Sequence, residues 1–525
     1  MDTQLRNADG SLIYRTGLEY DTQNRLTALK ETLPTQRFRT AYTYDTDNRV
    51  TVMTFDGENA LNYTYDNLGR IATRTTGPLS STYSYVSGGY GTGSTTPLVS
   101  SIQQTGISFS YTYDNRGNIV SETRNGATTT YAYDALDQLI RVNDPHENAT
   151  WVYNYDRGGN ITSKVEYAFT TGDLGAAVET VPYAYGDANW KDKLTAYNGQ
   201  SITYDAIGNP LNDGTWTYTW TAGRQLAQMA KDGMTIQYKY DHNGLRVAKI
   251  VNGVETRYVL NGKQLTHLHR GNDWMHFFYD AQGRPAKVRY NGTIYSYIHN
   301  LQGDVVGIID TDGNVVVEYK YDAWGKLLST AGTLKTTLGM LNPFRYRSYI
   351  YDEETGLYYL RSRYYSNTIN RFISADVVQE SYNNVLQCNL FCYCLNNPII
   401  FVDTEGRFAV AIIGCGFVYS LIQGVLDGAL IGALSYSLIE SWDNIFTDLA
   451  PTRAQDQEIE ITQPTTVVKA EAQTEAKAKQ DKRNPHVYHI VAKVDWRAAP
   501  AREVLRSYGI NVWTYKRNLI AVSAE

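Results

Sequence analysis

Cysteine and histidine side chains that could bind a metal ion lie in two short stretches of this sequence. Cys388, Cys392 and Cys394 stand close together, and His267 and His269 occupy alternate positions, as neighbours on one face of a strand do. A tetrahedral zinc site needs further ligands, and no second pair of Cys or His stands near the cysteines in the sequence. Structural roles are therefore favoured over metal binding: small apolar residues of a buried strand for the cysteines, and an exposed strand face for the histidines.

The chain that must position such residues consists mostly of one recurring unit, from about residue 10 to 340. The unit reads Tyr-x-Tyr-Asp, two or three turn residues, Gly, Arg or Asn, and an apolar residue, as in Tyr63-Thr64-Tyr65-Asp66 followed by Gly69-Arg70-Ile71. Alternation places both tyrosine rings on one strand face, Asp accepts hydrogen bonds in the turn, and Gly supplies a positive φ. Each unit is thus predicted to be a β-hairpin that stacks on its neighbours, and the array to be one continuous coiled sheet.

Composition agrees with this β-rich prediction and narrows the class of protein. The chain has 44 Tyr, 13 Phe and 42 Gly, and Tyr suits half-buried strands. The formal net charge of -6 gives no indication that the chain as a whole binds nucleic acid. The array lacks Cys, which excludes a disulfide-stapled fold there. The polar start Met1-Asp2-Thr3-Gln4 is not a signal peptide, so we expect the sequence to be part of a longer protein.

A dense stretch from Asn342 to Arg407 follows the array. Its motifs are Tyr351-Asp352, Glu354-Thr355-Gly356-Leu357-Tyr358-Tyr359, Arg363-Tyr364-Tyr365, Arg371-Phe372-Ile373-Ser374-Ala375-Asp376, Asn396-Asn397-Pro398 and Asp403-Thr404-Glu405-Gly406. At these residues the sequence resembles the RHS-repeat-associated core domain, the closing module of bacterial RHS/YD-repeat proteins. It departs from the family pattern at Asn370, where Gly usually precedes Arg-Phe, and at Val377 and Thr404, where Pro usually follows Asp.

The resemblance implies both a fold and a reaction. In that family the sheet spirals into a hollow shell whose end is plugged by the core, so we expect an all-β, coiled antiparallel hairpin sheet forming a partial shell. The family's core is an aspartate-dependent self-protease, which implies Asp376 as a catalytic acid, Asp403 as the second carboxylate and Arg371 close by. The cut would fall just after Gly406, near Arg407. The alternative is that both Asp residues only cap turns.

The composition changes at Phe408. Residues 408–439 carry one charge, Asp427, and have Gly424, Gly428 and Gly432 at four-residue spacing, which suits close helix packing. Gln423 and Asp427 disfavour a simple membrane span, so we expect two short helices held inside the shell until release. The alternative is a permanent anchor, and transient membrane contact through 408–439 remains open.

The last residues resemble the opening half of AHH-type toxin nucleases, an HNH-like group. The resemblance rests on His489-Ile490-Val491, Ala499-Pro500-Ala501-Arg502 and Asn518-Leu519-Ile520, while Tyr488 replaces the first His of the paired motif. It implies that His489 acts as general base or ligand of a divalent metal and that Asn518 holds this region in place, with nucleic acid as substrate. The alternative is a small helix-strand cap with incidental histidines.

Together these observations predict a polymorphic toxin fragment: a β-shell that encloses and delivers a variable effector, secreted or associated with the cell surface or wall. Its partners would be its own C-terminal domain as cargo and an immunity protein; the shell is expected to need no cofactor. The alternative is a wall-associated or adhesive structural protein without enzymatic activity. The predicted divisions are a repeat array (1–340), the core (341–407), a hydrophobic helical segment (408–450), a polar linker (451–484) and a small helical or α+β effector fragment (485–525).

Overall fold

The computed structural model describes residues 2–6, 10–88, 93–377, 385–407 and 409–411, which belong to one compact unit. This part of the chain is almost wholly β. Its helices are two four-residue segments, Leu338–Leu341 (α1) and Val385–Cys388 (α2), and the 3-10 segments Tyr346–Ser348 and Cys394–Asn396. The prediction of an all-β coiled hairpin array is confirmed.

The first eighteen strands form one sheet in which each strand pairs antiparallel with the next along the chain. In order, β1 to β18 are Asp2–Arg6, Leu12–Tyr20, Leu26–Thr32, Arg37–Tyr44, Val50–Phe55, Glu58–Tyr65, Ile71–Thr76, Leu79–Ser87, Thr95–Gln104, Ser108–Tyr113, Ile119–Arg124, Ala127–Tyr133, Leu139–Asp144, Ala149–Tyr155, Ile161–Ala168, Ala177–Ala184, Ala196–Tyr197 and Gln200–Ser201.

The next fourteen strands form a second sheet with the same neighbour-to-neighbour pairing. In order, β19 to β32 are Thr203–Tyr204, Pro210–Asn212, Thr217–Thr221, Gln225–Lys231, Met234–Tyr240, Arg246–Val251, Val254–Asn261, Gln264–Arg270, Asp273–Tyr279, Pro285–Tyr290, Thr293–His299, Val305–Ile309, Val315–Tyr321 and Leu327–Ala331. The segment after α1 contains a four-stranded sheet and a two-stranded one, formed by Ile350–Asp352 (β33), Leu357–Leu360 (β34), Arg363–Ser366 (β35), Arg371–Phe372 (β36), Phe401–Val402 (β37) and Val410–Ala411 (β38).

The turn chemistry inferred from the repeat is present. Asp66 Oδ1 accepts hydrogen bonds from the backbone N–H groups of Leu68 and Arg70, both at 2.9 Å, and Oδ2 accepts from Arg70 Nε at 2.7 Å. Gly69 follows with φ of 78°. The same pair of backbone N–H bonds recurs at Asp21, Asp45, Asp114, Asp156, Asp205, Asp241, Asp280, Asp310 and Asp322. A short local motif therefore fixes one hairpin turn in each of these units.

In ten of the repeat units the second tyrosine makes a bond that sequence analysis did not predict. Tyr155 donates its hydroxyl hydrogen to the carbonyl oxygen of Leu139, at 2.7 Å, in the preceding unit. Equivalent bonds begin at Tyr44, Tyr65, Tyr85, Tyr113, Tyr133, Tyr185, Tyr240, Tyr279 and Tyr321. The tyrosines thus do more than fill the sheet face: each joins its hairpin to the one before it. We call this series the tyrosine ladder.

The array is not one continuous sheet, which corrects the prediction. It is interrupted at Ile202, because β18 before it and β19 after it do not pair with each other. The strands on both sides are only two or three residues long, and β20 begins with Pro210, which has no N–H to donate. Short strands and a missing donor leave too few ladder hydrogen bonds to carry the pairing through this point.

The two sheets face each other across buried side chains. Arg74 of the first sheet lies 3.7 Å from Asp280 of the second, and both are buried. The backbone N–H groups of Ala281 and Leu301 donate to the hydroxyls of Tyr63 and Tyr111. Since these contacts join residues about two hundred positions apart, the array curls back on itself.

The segment 342–407 packs against the turns of the array. The Asn396 amide donates to Gln138 Oε1 at 2.9 Å and to the Gly159 carbonyl at 2.7 Å. A fully buried ion pair joins Arg246 of β24 to Asp352 of β33 at 2.6 Å. The core segment is therefore anchored to several repeats at once.

Two structural interpretations from the sequence need correction. The cysteines are not in a strand: Cys388 ends α2, and Cys394, which is buried, begins a 3-10 segment. His267 is not on an exposed face but is buried, stacked on Trp274, whereas His269 is exposed. Phe38 of the first sheet lies near His267, with ring centroids 6.4 Å apart, and burial lowers the pKa of His267 to about 3.

Candidate functional site

The buried guanidinium of Arg363 brings the two predicted carboxylates together. Its Nη2 lies 2.8 Å from Asp376 Oδ2 and 3.7 Å from Asp403 Oδ2, and all three side chains are buried. Arg363 opens β35 directly after the Arg361-Ser362 turn, Asp376 follows β36, and Asp403 follows β37. Burial lowers the pKa of Arg363, and the two carboxylates oppose that shift. Three segments of the core thus meet at the guanidinium of Arg363. We call these three side chains the Asp376–Asp403 site.

The carbonyl group of Gly406 points into this site. Its oxygen accepts hydrogen bonds from Arg363 Nε and from Ser362 Oγ, the latter at 2.9 Å. Donors placed on a carbonyl oxygen in a buried site stabilise the negative charge that develops there during acyl transfer. The oxygen is that of the Gly406-Arg407 peptide bond, the bond at the predicted cut.

The nitrogen side of the same bond faces the second carboxylate. The Arg407 N–H donates to Asp403 Oδ1 at 2.9 Å, and the Glu405 N–H donates to the same oxygen at 3.2 Å. Asp403 therefore does cap a turn, as the alternative interpretation proposed. The turn that it caps contains the Gly406-Arg407 bond, so capping places Asp403 in contact with the bond at the predicted cut.

Position 406 accepts only glycine in this geometry. Gly406 has φ of 70°, and a Cβ there would lie 2.7 Å from the Leu360 carbonyl oxygen and 2.9 Å from Ser362 Oγ. A side chain would strain the backbone and push the carbonyl away from its donors. A cavity of about 350 Å³ lies beside the bond, lined by Ser362, Arg363 and Asp376 among others, and has room for water.

Arg371, which the sequence placed with the aspartates, lies elsewhere. Its guanidinium donates to Tyr185 Oη at 2.7 Å and to the Asp192 carbonyl at 2.6 Å, and so ties β36 to the repeat array. Sequence reasoning missed Arg363 and Ser362 as site residues. The signal was the Arg-x-Arg pair at Arg361 and Arg363, on either side of Ser362, which supplies two cations close together.

The predicted nuclease site lies near the end of the chain. His489 and Asn518, and with them the proposed metal ligand, lie outside the described residues, as do nearly all of the hydrophobic segment, the linker and the effector fragment. Of the hydrophobic segment, Val410–Ala411 is a short strand paired with Phe401–Val402. No helix among the residues described is both long and apolar enough to cross a bilayer. In the same residues, no group of three His, Cys, Asp or Glu side chains is arranged to hold a metal ion.

Comparison with known proteins agrees with this architecture. The tRNA nuclease WapA of Bacillus subtilis (strain 168) is 35% identical over 290 residues, which are 54% of this chain and 12% of that protein. Toxin subunit YenC1 of Yersinia entomophaga is 26% identical over 305 residues, 50% of this chain and 30% of that protein. The crystal structure of TcdB2-TccC3-TEV has the same fold, with a TM-score of 0.54 at 18% identity over 77% of this chain and 25% of that chain.

The chain thus spans a small part of the curated relatives that it matches. Its resemblance to RHS/YD-repeat proteins of the polymorphic toxin type is confirmed by these relatives, and none of them favours the adhesive alternative. The family model described as Teneurin YD-shell matches residues 99–399, more than half of the chain and most of the two sheets. The chain therefore belongs to the teneurin YD-shell family.

Proposed function

We propose that this chain is the shell and core of a toxin that carries a C-terminal effector and cuts itself at the Gly406-Arg407 bond to free it. One observation carries the proposal: the Gly406 carbonyl accepts hydrogen bonds from Arg363 and Ser362, while the same arginine contacts both Asp376 and Asp403. The Gly406-Arg407 peptide bond is thus held between donors and a pair of carboxylates.

The geometry supports a division of roles between the two acids. Asp376 lines the cavity beside the bond and would take a proton from a water molecule there as that water attacks the Gly406 carbonyl carbon. Arg363 and Ser362 would stabilise the resulting oxyanion. Asp403, in contact with the Arg407 nitrogen, would give its proton to that nitrogen as the C–N bond breaks. The products are a Gly406 carboxylate and an Arg407 amine.

Cations at the site can compensate the charge of the two acids. Two carboxylates that share one proton carry one net negative charge, as acid pairs in hydrolytic enzymes do. The guanidinium of Arg363 supplies one positive charge at hydrogen-bond distance from Asp376. Arg363 can therefore compensate the single negative charge of a pair that shares one proton, and Arg224, which donates to the Ala375 carbonyl at 2.7 Å next to Asp376, adds a second positive charge to the site.

The test is the mass of the expressed chain and of its Asp376→Asn variant. The wild type should appear as two fragments that divide at Gly406-Arg407, and the variant as one intact chain. Asp173→Asn, which changes an exposed aspartate far from the core, is the matched control and should still be cut. An intact wild-type chain, or a variant cut as fast as the wild type, would overturn the proposed self-cleavage.

For the effector we propose a metal-dependent nuclease that acts through His489, with Asn518 holding the region in place. The support is the ordered set of motifs from His489 to Asn518 and the similarity of the shell to a protein named as a tRNA nuclease. Export or display at the cell surface, with an immunity protein in the producing cell, follows from such a role. The tail should be toxic in cells and degrade RNA or DNA, and His489→Ala should abolish both effects. A harmless tail that leaves both nucleic acids intact would contradict the nuclease proposal.

A further inference from the structure

The acidic side chain directly before Gly406 is held by two cations from different parts of the molecule. Glu405 forms ion pairs with Arg361, in the turn of the core hairpin, and with Lys263, at 3.2 Å. Lys263 lies in the turn between β25 and β26 of the second sheet. The repeat array and the core therefore both contact the residue next to the proposed cut. We call these three side chains the Glu405 clamp.

The backbone of Glu405 is fixed by the same turn that carries Arg361. Its carbonyl oxygen accepts from the Ser362 N–H at 3.2 Å and lies 2.6 Å from Ser362 Oγ. Side chain and backbone are thus attached to one two-residue turn. Since Ser362 also contacts the Gly406 carbonyl, the position of Glu405 sets how that carbonyl meets its donors.

The surroundings make the clamp more than an incidental surface pair. Cavities of about 350 and 670 Å³ both have Lys263 and Arg361 among their lining residues. Close apolar packing therefore does not hold the segment on those sides, and its placement depends on the polar contacts. The three side chains are 13–32% exposed, so the ion pairs are partly shielded from solvent, where they are stronger than on an open surface.

We infer that Glu405 is the side chain by which the site selects its own peptide bond, and that Lys263 is a positioning residue through which the repeat array takes part in cleavage. Gly406 cannot carry a side chain, so on the amino-terminal side of the bond Glu405 is the nearest residue whose side chain can be recognised. This inference rests on the proposed self-cleavage and specifies its substrate: an acidic residue followed by glycine. It also makes cleavage depend on contact between β25–β26 and the core.

The first test measures the rate at which newly synthesised chains are cut. Lys263→Met and Glu405→Gln should each slow cleavage at least about tenfold, because displacing a reacting group by about 1 Å can cost a hundredfold. Lys263→Arg keeps the charge and should restore most of the rate. Lys239→Met removes another ion-paired lysine of the array, far from the core in sequence, and should have no effect. If Lys263→Met is cut at the wild-type rate, or Lys263→Arg is as slow as Lys263→Met, the positioning role of Lys263 is refuted.

The second test does not require cleavage. In the uncut Asp376→Asn chain, Lys263→Met should speed hydrogen exchange of the Glu405 and Arg407 amides about tenfold, while Lys239→Met should not. Unchanged exchange would refute the clamp. A wild-type chain that stays uncut would overturn the proposed function, while faster exchange in Lys263→Met would still support the clamp; the two failures are therefore distinguishable.

Discussion

Replacing Glu122 by Gln should make the protein more stable at neutral and alkaline pH. Glu122 of β11 lines a cavity of about 60 Å³ between the two sheets, together with Asp304 and Arg347. Burial and the nearby Asp304 raise its pKa from the ordinary 4.5 to about 7. A hydrogen bond from Gln302 Nε2 at 3.3 Å and the charges of Arg124 and Arg347 oppose this shift. The folded protein thus keeps a proton on Glu122 that the unfolded chain releases.

The direction of the pH effect follows from this difference. Below about pH 4.5 both states hold the proton, and the stabilising contribution is complete. As pH rises to about 7 the unfolded chain ionises first, so the free energy of unfolding falls, and it stays lower above that range. The rise in the pKa of Glu122 from 4.5 to about 7 corresponds to a change of at most about 3 kcal/mol in the free energy of unfolding. The effect is smaller than this limit because the carboxylate borders the small cavity.

Thermal and urea unfolding at pH 5 and pH 8 would measure the effect. Glu122→Gln, which is neutral at both values and can still accept from Gln302, should exceed the wild type by about 1–3 kcal/mol at pH 8. At pH 5 the difference should be within about 1 kcal/mol. Glu179→Gln, at an exposed position of β16, is the control and should not change the pH dependence. A variant less stable than the wild type at pH 8, or an equal difference at both pH values, would refute the reasoning.

Two further changes test the packing of core and array. Arg246→Met should lower the free energy of unfolding by about 3 kcal/mol, the lower end of the usual range for breaking a buried ion pair. The loss is at the lower end because Lys249, at 3.1 Å, still pairs with Asp352. An unchanged unfolding temperature would contradict this. Tyr155→Phe should cost about 1 kcal/mol by removing one bond of the tyrosine ladder, whereas Tyr20→Phe, at an exposed tyrosine, should cost much less; equal losses would show that the hydroxyl bond is not the cause.

The local features of this fold could be predicted from the sequence. The Asp-turn-Gly unit was predictable because all of its hydrogen bonds join residues within five positions, as at Asp66 and Arg70. The tyrosine ladder was not predicted because it depends on the register between successive hairpins, which turn lengths set. The break at Ile202 was missed for a related reason: strand lengths decide whether pairing continues, and the repeat motif does not specify them.

The candidate site could likewise be predicted only in part. Its carboxylates could be proposed from a family resemblance, and the structure places Asp376 and Asp403 on one guanidinium. That cation, Arg363, was not chosen from the sequence, since nearness to Asp376 along the chain favoured Arg371. Strand pairing between β34 and β35 brings Arg363 to the site, and such pairing is a property of the folded core.

The anchoring of the core to early repeats has a consequence for the order of folding. Neighbouring hairpins contact each other locally, so the array can form progressively during synthesis. The core instead reaches far back along the chain: Asn397 bonds to Asn118 and Asn396 to Gln138. Such contacts carry a large loop-closure cost and form only when their distant partners are already in place. We expect core docking to be the last and slowest folding step, so that it acts as a checkpoint at which only a chain with a finished array gains the geometry at Gly406.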